Sequence, residues 1–347
     1  MASKWARRLD MVAGRVDMTH GSGGKAMAQL VDELFIAALD NPLLARKNDN
    51  AVFELPAGRV VMTTDAYVVS PLFFPGGDIG SLAVHGTIND VAMAGARPLH
   101  LSAAFILEEG FPLADLRRIV ESMAKASRDA GVGVVTGDTK VVEKGKGDGV
   151  FITTTGVGIV PPPVVSPSGD RARPGDVVIV SGTMGDHGVA ILSSREGLAF
   201  ETSIKSDSAA LHRLVARMVE VVPDIHVLRD PTRGGLSATL NEIAQQSGVG
   251  MVISEESIPV RDEVTAACEL LGLDPLHLAN EGKLIAITDH RHADKLLATM
   301  RSDPLGREAA IIGHVAEDPN RFVQIKTTFG GTRILDWLVG EALPRIC

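Results

Sequence analysis

The chain has 347 residues, with 34 Lys and Arg against 43 Asp and Glu, so its formal net charge is −9. This acidic balance argues against nucleic-acid binding, which depends on clustered Lys and Arg, and no apolar run approaches the roughly 18 residues of a membrane span. The length predicts about two domains. Cys268 and Cys347 are the two cysteines, too few for a disulfide framework, and they favour a reducing cytoplasm as the location.

The predicted elements alternate between strands and helices on both sides of the proline-rich segment 161–169, where three consecutive prolines exclude a helix or a central strand. Before it, we predict helices at 27–39, 79–96 and 113–130 and strands at 60–64, 99–107 and 150–160. After it, we predict strands at 177–180, 250–253, 284–288, 310–315 and 323–325 and helices at 189–194, 209–221, 236–246, 263–271 and 293–300. This pattern indicates two α+β domains.

A glycine-rich segment with a lysine precedes the first predicted helix. Its residues are His20, Gly21, Ser22, Gly23, Gly24 and Lys25. Glycines and a lysine at the start of a helix supply backbone donors and positive charge, which is typical of an anion site. The segment lacks the GK[ST] ending of a P-loop, and a flexible linker would have the same composition.

Four aspartates follow or interrupt apolar segments at what we expect to be turn-like junctions. They are Asp49, Asp65, Asp90 and Asp138. Asp90 is the clearest case, because it lies beside Asn89 in a predicted apolar helix, where Asp is a poor helix former and costly to bury unpaired. If they converged, these carboxylates would suit Mg²⁺, which prefers oxygen ligands. Each could instead be an ordinary cap or turn residue.

Three further segments place charged residues beside glycines. GDTK (Gly137–Lys140) is expected to follow a strand, where its lysine could bind phosphate or carry a proton. RDPTRGG (Arg229–Gly235) precedes a helix, and NEGK (Asn280–Lys283) precedes a strand. The glycine-bearing loop 182–188 is a weak phosphate signal by itself. Exposed turns would carry similar residues.

The sequence ends in LPRIC, with Cys347 as its last residue. A terminal cysteine on a mobile tail would be free to enter a pocket or meet a partner, although an incidental surface thiol is the alternative. Prenylation requires a cysteine four residues from the end and is therefore excluded. Cys268 lies in an apolar helical stretch and is predicted to be a small core residue.

Taken in order, HGSGGK, TTDA, IND, GDTK, RDPTRGGL and NEGK resemble the motifs of the PurM (AIR synthetase-like) superfamily of ATP-dependent enzymes. The terminal PRIC narrows the resemblance to the carbamoyl dehydratase family of NiFe-hydrogenase maturation. The resemblance runs from about Asp17 to Cys347 without a missing segment.

This resemblance implies a two-domain PurM-like fold. An N-terminal ATP-binding and dimerisation domain would span 1–163, a C-terminal domain would span 170–335, and a mobile tail would span 336–347. The N-terminal domains would pair into a β-barrel in a homodimer, with ATP between the domains and across the dimer interface. The residues implied to contact ATP and Mg²⁺ are His20 to Lys25, Asp49, Asp65, Asp90, Asp138, Thr139 and Asp230, the metal ligands among them being Asp49, Asp65, Asp90 and Asp138.

The resemblance also implies the chemistry. Cys347 would carry a carboxamide placed there by a HypF-type carbamoyltransferase, ATP would serve to dehydrate it to a thiocyanate, and the cyano group would pass to a HypC–HypD complex. An amide oxygen is a poor leaving group, so phosphorylation would let it depart as phosphate, while Mg²⁺ and Lys25 neutralise the phosphoryl charge. Lys140 and Glu281 are the candidates for the base that takes the N–H proton, in either order of roles.

Two other classes of function remain open from the sequence. Another PurM-like enzyme, such as a thiamine-monophosphate kinase, would not need Cys347. A selenophosphate synthetase would be expected to carry a reactive Cys or Sec near the N-terminal glycine loop, where this sequence has none. A nucleotide-sensing scaffold would bind ATP and a partner without releasing phosphate.

Overall fold

The structure, a computed structural model, describes residues 8–22, 24–196, 204–337 and 345–347. The elements before the proline-rich segment are α1 (Lys25–Leu30), a π-helical segment (Val31–Ile36), α2 (Ala37–Leu39), β1 (Arg59–Tyr67), β2 (Phe73–Phe74), β3 (Gly77–Asp78), α3 (Ile79–Met93), β4 (Arg97–Glu108), α4 (Leu113–Ala130), β5 (Gly133–Val142) and β6 (Val150–Val160). Those after it are β7 (Val177–Val180), α5 (Asp186–Glu196), α6 (His212–Val221), β8 (Val227–Arg229), α7 (Gly235–Ser247), β9 (Gly250–Ser254), α8 (Asp262–Leu271), β10 (Ile285–Thr288), α9 (His290–Arg301), β11 (Ala310–Ala316), β12 (Val323–Lys326) and β13 (Thr332–Ile334).

The N-terminal half is built on a four-stranded sheet in the order β1-β6-β4-β5, in which β4 and β5 are parallel and the other neighbours antiparallel. Residues of β1 alternate between its two faces, so Thr63 and Tyr67 point towards the helices while Met62 points outward. Helices α3 and α4 cover the inner face. The outer face leaves apolar side chains in solvent, with Val60 57%, Met62 72% and Ile106 43% exposed.

The C-terminal half is built on a seven-stranded sheet in the order β13-β12-β9-β11-β7-β10-β8. Strand β7, in the interior of this sheet, is apolar throughout because both of its faces are covered. Val178 and Val180 pack into one cluster with α7, whereas Ile179 packs into another with α6 and α9. Met93, at the end of α3, joins this second cluster, so the N-terminal half packs directly on the C-terminal half.

The mixture of helices and sheets confirms the predicted α+β class, and the bounds predicted for α4, β6 and β7 agree with the structure. The helix predicted at 79–96 ends earlier, at Met93, because Gly95 adopts a left-handed conformation with φ 70°. The expected turn positions of Asp65 and Asp138 were wrong, since both residues lie within strands, and Asp90 lies within α3. GDTK likewise lies inside β5, which continues to Val142. No helix within the described ranges combines the length and the apolarity needed to cross a membrane.

Candidate active site

The loop that contains the NEGK motif lies at the centre of the candidate site, and a single buried asparagine fixes it. The Oδ1 atom of Asn280 accepts a hydrogen bond from the Gly185 amide at 2.8 Å. Its Nδ2 atom donates to the carbonyls of Pro231 and Leu278, each at 3.0 Å. Asn280 is fully buried, so these bonds tie three segments of the C-terminal half to one another without competition from water.

The backbone of Glu281 is held from both halves of the chain. Its amide donates to Asp207 at 3.0 Å, and its carbonyl accepts from the side chain of Asn89, on α3, at 3.2 Å. Asp207 also forms a buried ion pair with Lys283 at 3.1 Å. Because the main chain is fixed, the Glu281 side chain has a defined position, and its buried Oε1 atom has no hydrogen-bond partner among the residues that the structure describes.

Four acidic neighbours act on the buried carboxyl group of Glu281. Burial raises the pKa of Glu281 well above its ordinary value, and the charges of Asp230, Asp207, Asp65 and Asp90 raise it further, in that order. Burial and these four charges therefore favour the protonated form of the Glu281 carboxyl group. The sequence had suggested this residue as a base but gave no sign of its environment.

Asp90 and Asp230 form a second part of the same acidic cluster. Burial raises the pKa of Asp90. The hydrogen bond from Thr63 at 2.9 Å partly offsets this rise, and the charge of Asp65 adds to it. Burial and then the charge of Asp90 raise the pKa of Asp230 to about 7. Carboxyl groups that repel one another in this way would be stabilised by a bound cation.

Two consecutive glycines bring the RDPTRGG loop to the cleft. Gly234 and Gly235 have φ values of 75° and 61°, and a side chain at Gly235 would come within 2.5 Å of the Leu278 carbonyl oxygen. Both positions therefore require glycine. The turn that they form leads into α7 and places Asp230 and Arg233 where their charges act on the C-terminal cysteine.

The last three residues, 345–347, pair with the segment after β1, and Ile346 among them is buried. The amide of Val68 donates to the Cys347 carbonyl at 3.0 Å, and the amide of Ser70 donates to the Arg345 carbonyl at 3.1 Å. Bonds at alternate residues are typical of antiparallel strand pairing. The thiol of Cys347 is half-buried, and burial followed by the charge of Glu281 raises its pKa well above the ordinary value. The thiol is therefore protonated in this inward position.

The predicted glycine loop has a partly structural role. His20 is buried, and its Nδ1 atom accepts from the Asp17 amide at 3.0 Å, which braces a short 3-10 helix. Gly21 packs against β5, where a side chain would come within 2.6 Å of the Val141 amide. Ser22 donates to a carbonyl of the same turn.

The second part of this segment begins the first helix. Gly24 is the N-cap of α1, and Lys25 is its first residue. The predicted helix therefore begins two residues earlier than the apolar pattern indicated, and it contains a π-helical segment. Gly23 lies outside the described residues. The role of this segment as an anion site stays a prediction.

The GDTK motif lies away from the acidic cluster in a single chain. Asp138 and Lys140 share the exposed face of β5, where their side chains form an ion pair at 3.3 Å, and Thr139 is buried on the opposite face. Strands β5 and β1 are at opposite edges of the sheet, about 14 Å apart at a spacing of about 4.8 Å per strand. One chain therefore does not bring Lys140 to Glu281, or Asp138 to Asp65.

The residues present fit Mg²⁺ as an ion shared with a phosphate ligand. Asp65 and Asp90 offer hard oxygen donors, and the charge of Asp65 raises the pKa of Asp90. Both charges also act on Glu281, whose buried Oε1 atom has no hydrogen-bond partner among the described residues. In the part of the chain that the structure describes, no three acidic, His or Cys residues form a complete metal site. Asp49 is exposed in the loop before β1. Phosphate oxygens would have to supply the remaining ligands.

Asp207 had no signal in the sequence, although its side chain bonds the Glu281 amide. Arg233 and His187 lie within two segments that the sequence singled out, RDPTRGG and the loop 182–188, but nothing local indicated that they act on the C-terminal residues. Asn89 had a partial signal, because an asparagine inside an apolar helix needs buried partners. Its amide indeed bonds the Glu281 and Ala209 carbonyls.

Comparison with known proteins adds an independent result. Models of the AIR synthase related proteins match residues 47–160 with the N-terminal domain and residues 173–326 with the C-terminal domain. The carbamoyl dehydratase HypE of Cupriavidus necator is 69% identical over 344 residues, covering 99% of this chain and 98% of the relative.

Two solved structures extend the comparison. A structure of the hydrogenase maturation protein HypE in complex with ATP has 53% identity and a TM-score of 0.92, covering 95% of this chain and 99% of that one. A HypE–HypF complex includes a chain with 50% identity and a TM-score of 0.79, covering 89% of this chain and 99% of that one. The fold is therefore a two-domain AIR synthase-like α+β fold.

Proposed function

The chain belongs to the HypE family of carbamoyl dehydratases, and we propose that it uses ATP to dehydrate a carboxamide on its own Cys347 to a thiocyanate. The thiocyanate supplies the cyanide ligand for NiFe-hydrogenase maturation. One observation carries the proposal: the terminal thiol lies inside the protein, where the charge of Glu281 acts on it. A tethered substrate makes the reaction intramolecular, which lowers the entropic part of the barrier.

The proposed reaction has two steps. The carboxamide oxygen first attacks the γ-phosphorus of ATP, ADP leaves, and loss of one N–H proton gives an iminophosphate. A base then takes the remaining N–H proton, the C–O bond breaks, and inorganic phosphate leaves as the C≡N bond forms. Phosphorylation thus converts the amide oxygen into a good leaving group.

Glu281 is the group that we assign to the second proton transfer. A raised pKa makes its ionised form a stronger base than an ordinary carboxylate, and the backbone bonds to Asp207 and Asn89 hold it in place. Asp65 and Asp90 would hold Mg²⁺ together with phosphate oxygens, and the ion would neutralise phosphoryl charge. The predicted ligand Asp138 lies on β5, at the opposite edge of the sheet from Asp65 on β1, and the role of Asp49 stays a prediction.

Lys140 lies on the outer face of the four-stranded sheet, where Val60, Met62 and Ile106 are also exposed. This uncovered apolar face supports the proposed homodimer, in which two such sheets would pair into a barrel. We therefore expect Lys140 to act at a site completed by a second copy.

The nucleotide and the partners follow from the relatives. HypE in the related crystal structure binds ATP, and we propose that residues 20–25, Thr139 and Asp230 serve ATP binding here. A related HypE forms a complex with HypF, and we propose a HypF-type carbamoyltransferase as the donor and a HypC–HypD complex as the acceptor.

The proposed domains are residues 1–163 and 170–335, followed by a tail at 336–347, of which residues 338–344 lie outside the described part. We propose the cytoplasm as the location.

Intact mass spectrometry tests the proposal directly. After incubation with an active carbamoyltransferase, the protein should gain one carboxamide, and it should lose one water only when MgATP is added. Cys347→Ala should gain nothing. An active transferase that leaves Cys347 unmodified would contradict the role of this residue, and ATP consumption without Cys347 would favour a PurM-like kinase. Persistent MgATP binding without phosphate release would favour a scaffold.

A further inference from the structure

The buried imidazole of His187, at the start of α5, holds the tail next to its last residue. Its Nε2 atom bonds the Ile346 carbonyl at 2.8 Å, and its Nδ1 atom bonds the Ser206 hydroxyl at 2.8 Å. A carbonyl only accepts, so Nε2 carries the hydrogen and Nδ1 accepts from Ser206. The Ser206 oxygen in turn accepts from the Ser208 amide at 3.1 Å. Phe74 packs edge-on against the ring at 5.6 Å, so the ring has one orientation.

The side chain of Ile346 is the apolar anchor of the same tail. It is 5% exposed and belongs to the hydrophobic core of the N-terminal half, whereas His187 belongs to the C-terminal half. Residues 345–347 are therefore inserted between the two halves, with their backbone bound to both halves and the Ile346 side chain buried in the core of the N-terminal half.

The remaining polar contacts of residues 345–347 are backbone hydrogen bonds and one exposed ion pair, between the side chains of Arg345 and Asp148 at 2.7 Å. Arg195 donates to the Arg345 carbonyl at 3.0 Å and to the Ser70 carbonyl at 2.8 Å. The amides of Val68 and Ser70 donate to the Cys347 and Arg345 carbonyls, respectively. None of these contacts uses the thiol, so they are available whatever group the sulfur carries.

We propose that Ile346 anchors the inward tail and that His187 is the positioning residue that sets how far Cys347 extends towards Glu281. The proposal rests on the proposed function in one respect, namely that Cys347 carries the reacting group. Because these contacts are made by the backbone and by the side chains of Ile346 and Arg345, and not by the sulfur, the free thiol, the carboxamide and the thiocyanate are held in the same register. The chemical state of Cys347 then does not decide whether the tail docks.

The first test measures how fast iodoacetamide alkylates Cys347 in the full chain without ATP or partners. All variants carry Cys268→Ala, since Cys268 is buried and the change leaves Cys347 as the single thiol. The rate reports the fraction of time that the tail is out. Ile346→Ala should raise it about tenfold or more, which equals about 1.4 kcal/mol. Ile334→Ala, at a residue 49% exposed, is the matched control and should leave it unchanged.

The second test separates positioning by His187 from its packing. The side-chain amide of His187→Gln reaches the position of Nε2 and can donate to Ile346, whereas His187→Asn reaches only the position of Nδ1. The Gln variant should therefore alkylate near the parent rate and the Asn variant about tenfold faster. In the dehydration assay, the Asn variant should lose kcat with little change in the KM for ATP. His292→Gln, at an exposed residue, is the control.

Two outcomes would overturn the proposal. Either Ile346→Ala alkylates at the parent rate, or the Gln and Asn variants alkylate equally fast while both melt at the parent temperature. If His187→Asn does not fold, Ile346→Ala decides the question, with Ile334→Ala as its reference. The alkylation assay needs neither ATP nor a carbamoyl group, so it can fail while the mass-spectrometric test of dehydration succeeds, and the reverse.

Discussion

Replacing Asn280 by Ala should destabilise the protein and displace Glu281 at the same time. The substitution leaves two buried backbone groups, the Gly185 amide and the Leu278 carbonyl, without their hydrogen bonds to the Asn280 side chain. The Pro231 carbonyl still accepts a hydrogen bond from the amide of residue 280, at 3.1 Å. An unsatisfied buried group costs about 1–3 kcal/mol, so two would cost about 2–6 kcal/mol. A water molecule in the vacated space would recover part of this, and we expect a loss of about 3 kcal/mol.

Urea unfolding measures the stability, and the rate of MgATP-dependent dehydration measures the position of Glu281. The rate should fall by about tenfold to a hundredfold at a temperature where the variant is folded, since small displacements of a reacting group have effects of this size. Asn320→Ala, at an exposed residue, is the control. A stability loss below about 1 kcal/mol would refute the bonding scheme. A full stability loss with an unchanged rate would show that this loop does not position Glu281.

Three further predictions concern charge and assembly. Asp230→Asn should stabilise the ligand-free protein above pH 7, because the folded wild type holds a proton at Asp230 up to about pH 7 that the unfolded chain loses near 3.8. Wild-type stability should therefore fall as pH rises through this window, and urea midpoints of the two proteins should diverge there. Met62→Glu should give monomers in sedimentation velocity without unfolding, since Met62 is 72% exposed. Arg345→Ala should raise Cys347 alkylation less than about fivefold, because its ion pair with Asp148 is half-exposed and such pairs contribute about 0–1 kcal/mol.

Each of these predictions has a clear contrary result. Parallel pH curves for wild type and Asp230→Asn would show that this carboxyl group is not the one that titrates. A Met62→Glu dimer would move the interface away from the outer face of the sheet. An Arg345→Ala effect as large as that of Ile346→Ala would mean that the ion pair, rather than the apolar side chain, anchors the tail.

Local patterns in the sequence predicted the elements whose surroundings are simple. Helix α4 has Leu116, Ile119 and Met123 at helical spacing, and all three are fully buried, so its bounds agree with the prediction. Cys268 was correctly predicted as a core residue and is 1% exposed. Strand β5 was harder, because Asp138 and Lys140 on its exposed face have the composition of a turn. Strands of two or three residues were missed, since they are too short to show alternation.

The candidate site was only partly predictable because it depends on contacts between distant segments. Asn89 and Glu281 are separated by 192 positions, and nothing local indicates that they bond. Motif order suggested that Lys140 and Glu281 act together, but Lys140 lies on β5, at the opposite edge of the sheet from Asp65 on β1, whose charge acts on Glu281. The order of strands in each sheet, and the set of acidic residues that meet near Glu281, depend on how the two halves pack.

The docked position of the last residue has a chemical consequence beyond proton transfer. The Cys347 side chain is half-buried and packs against the core of the N-terminal half, so solvent reaches only part of it. A thiocyanate carbon is electrophilic and would be hydrolysed or trapped by nucleophiles in open solution. Burial of the sulfur limits the access of water and of other nucleophiles to this carbon. A thiocyanate on Cys347 should therefore survive longer with residues 345–347 docked than with these residues exposed.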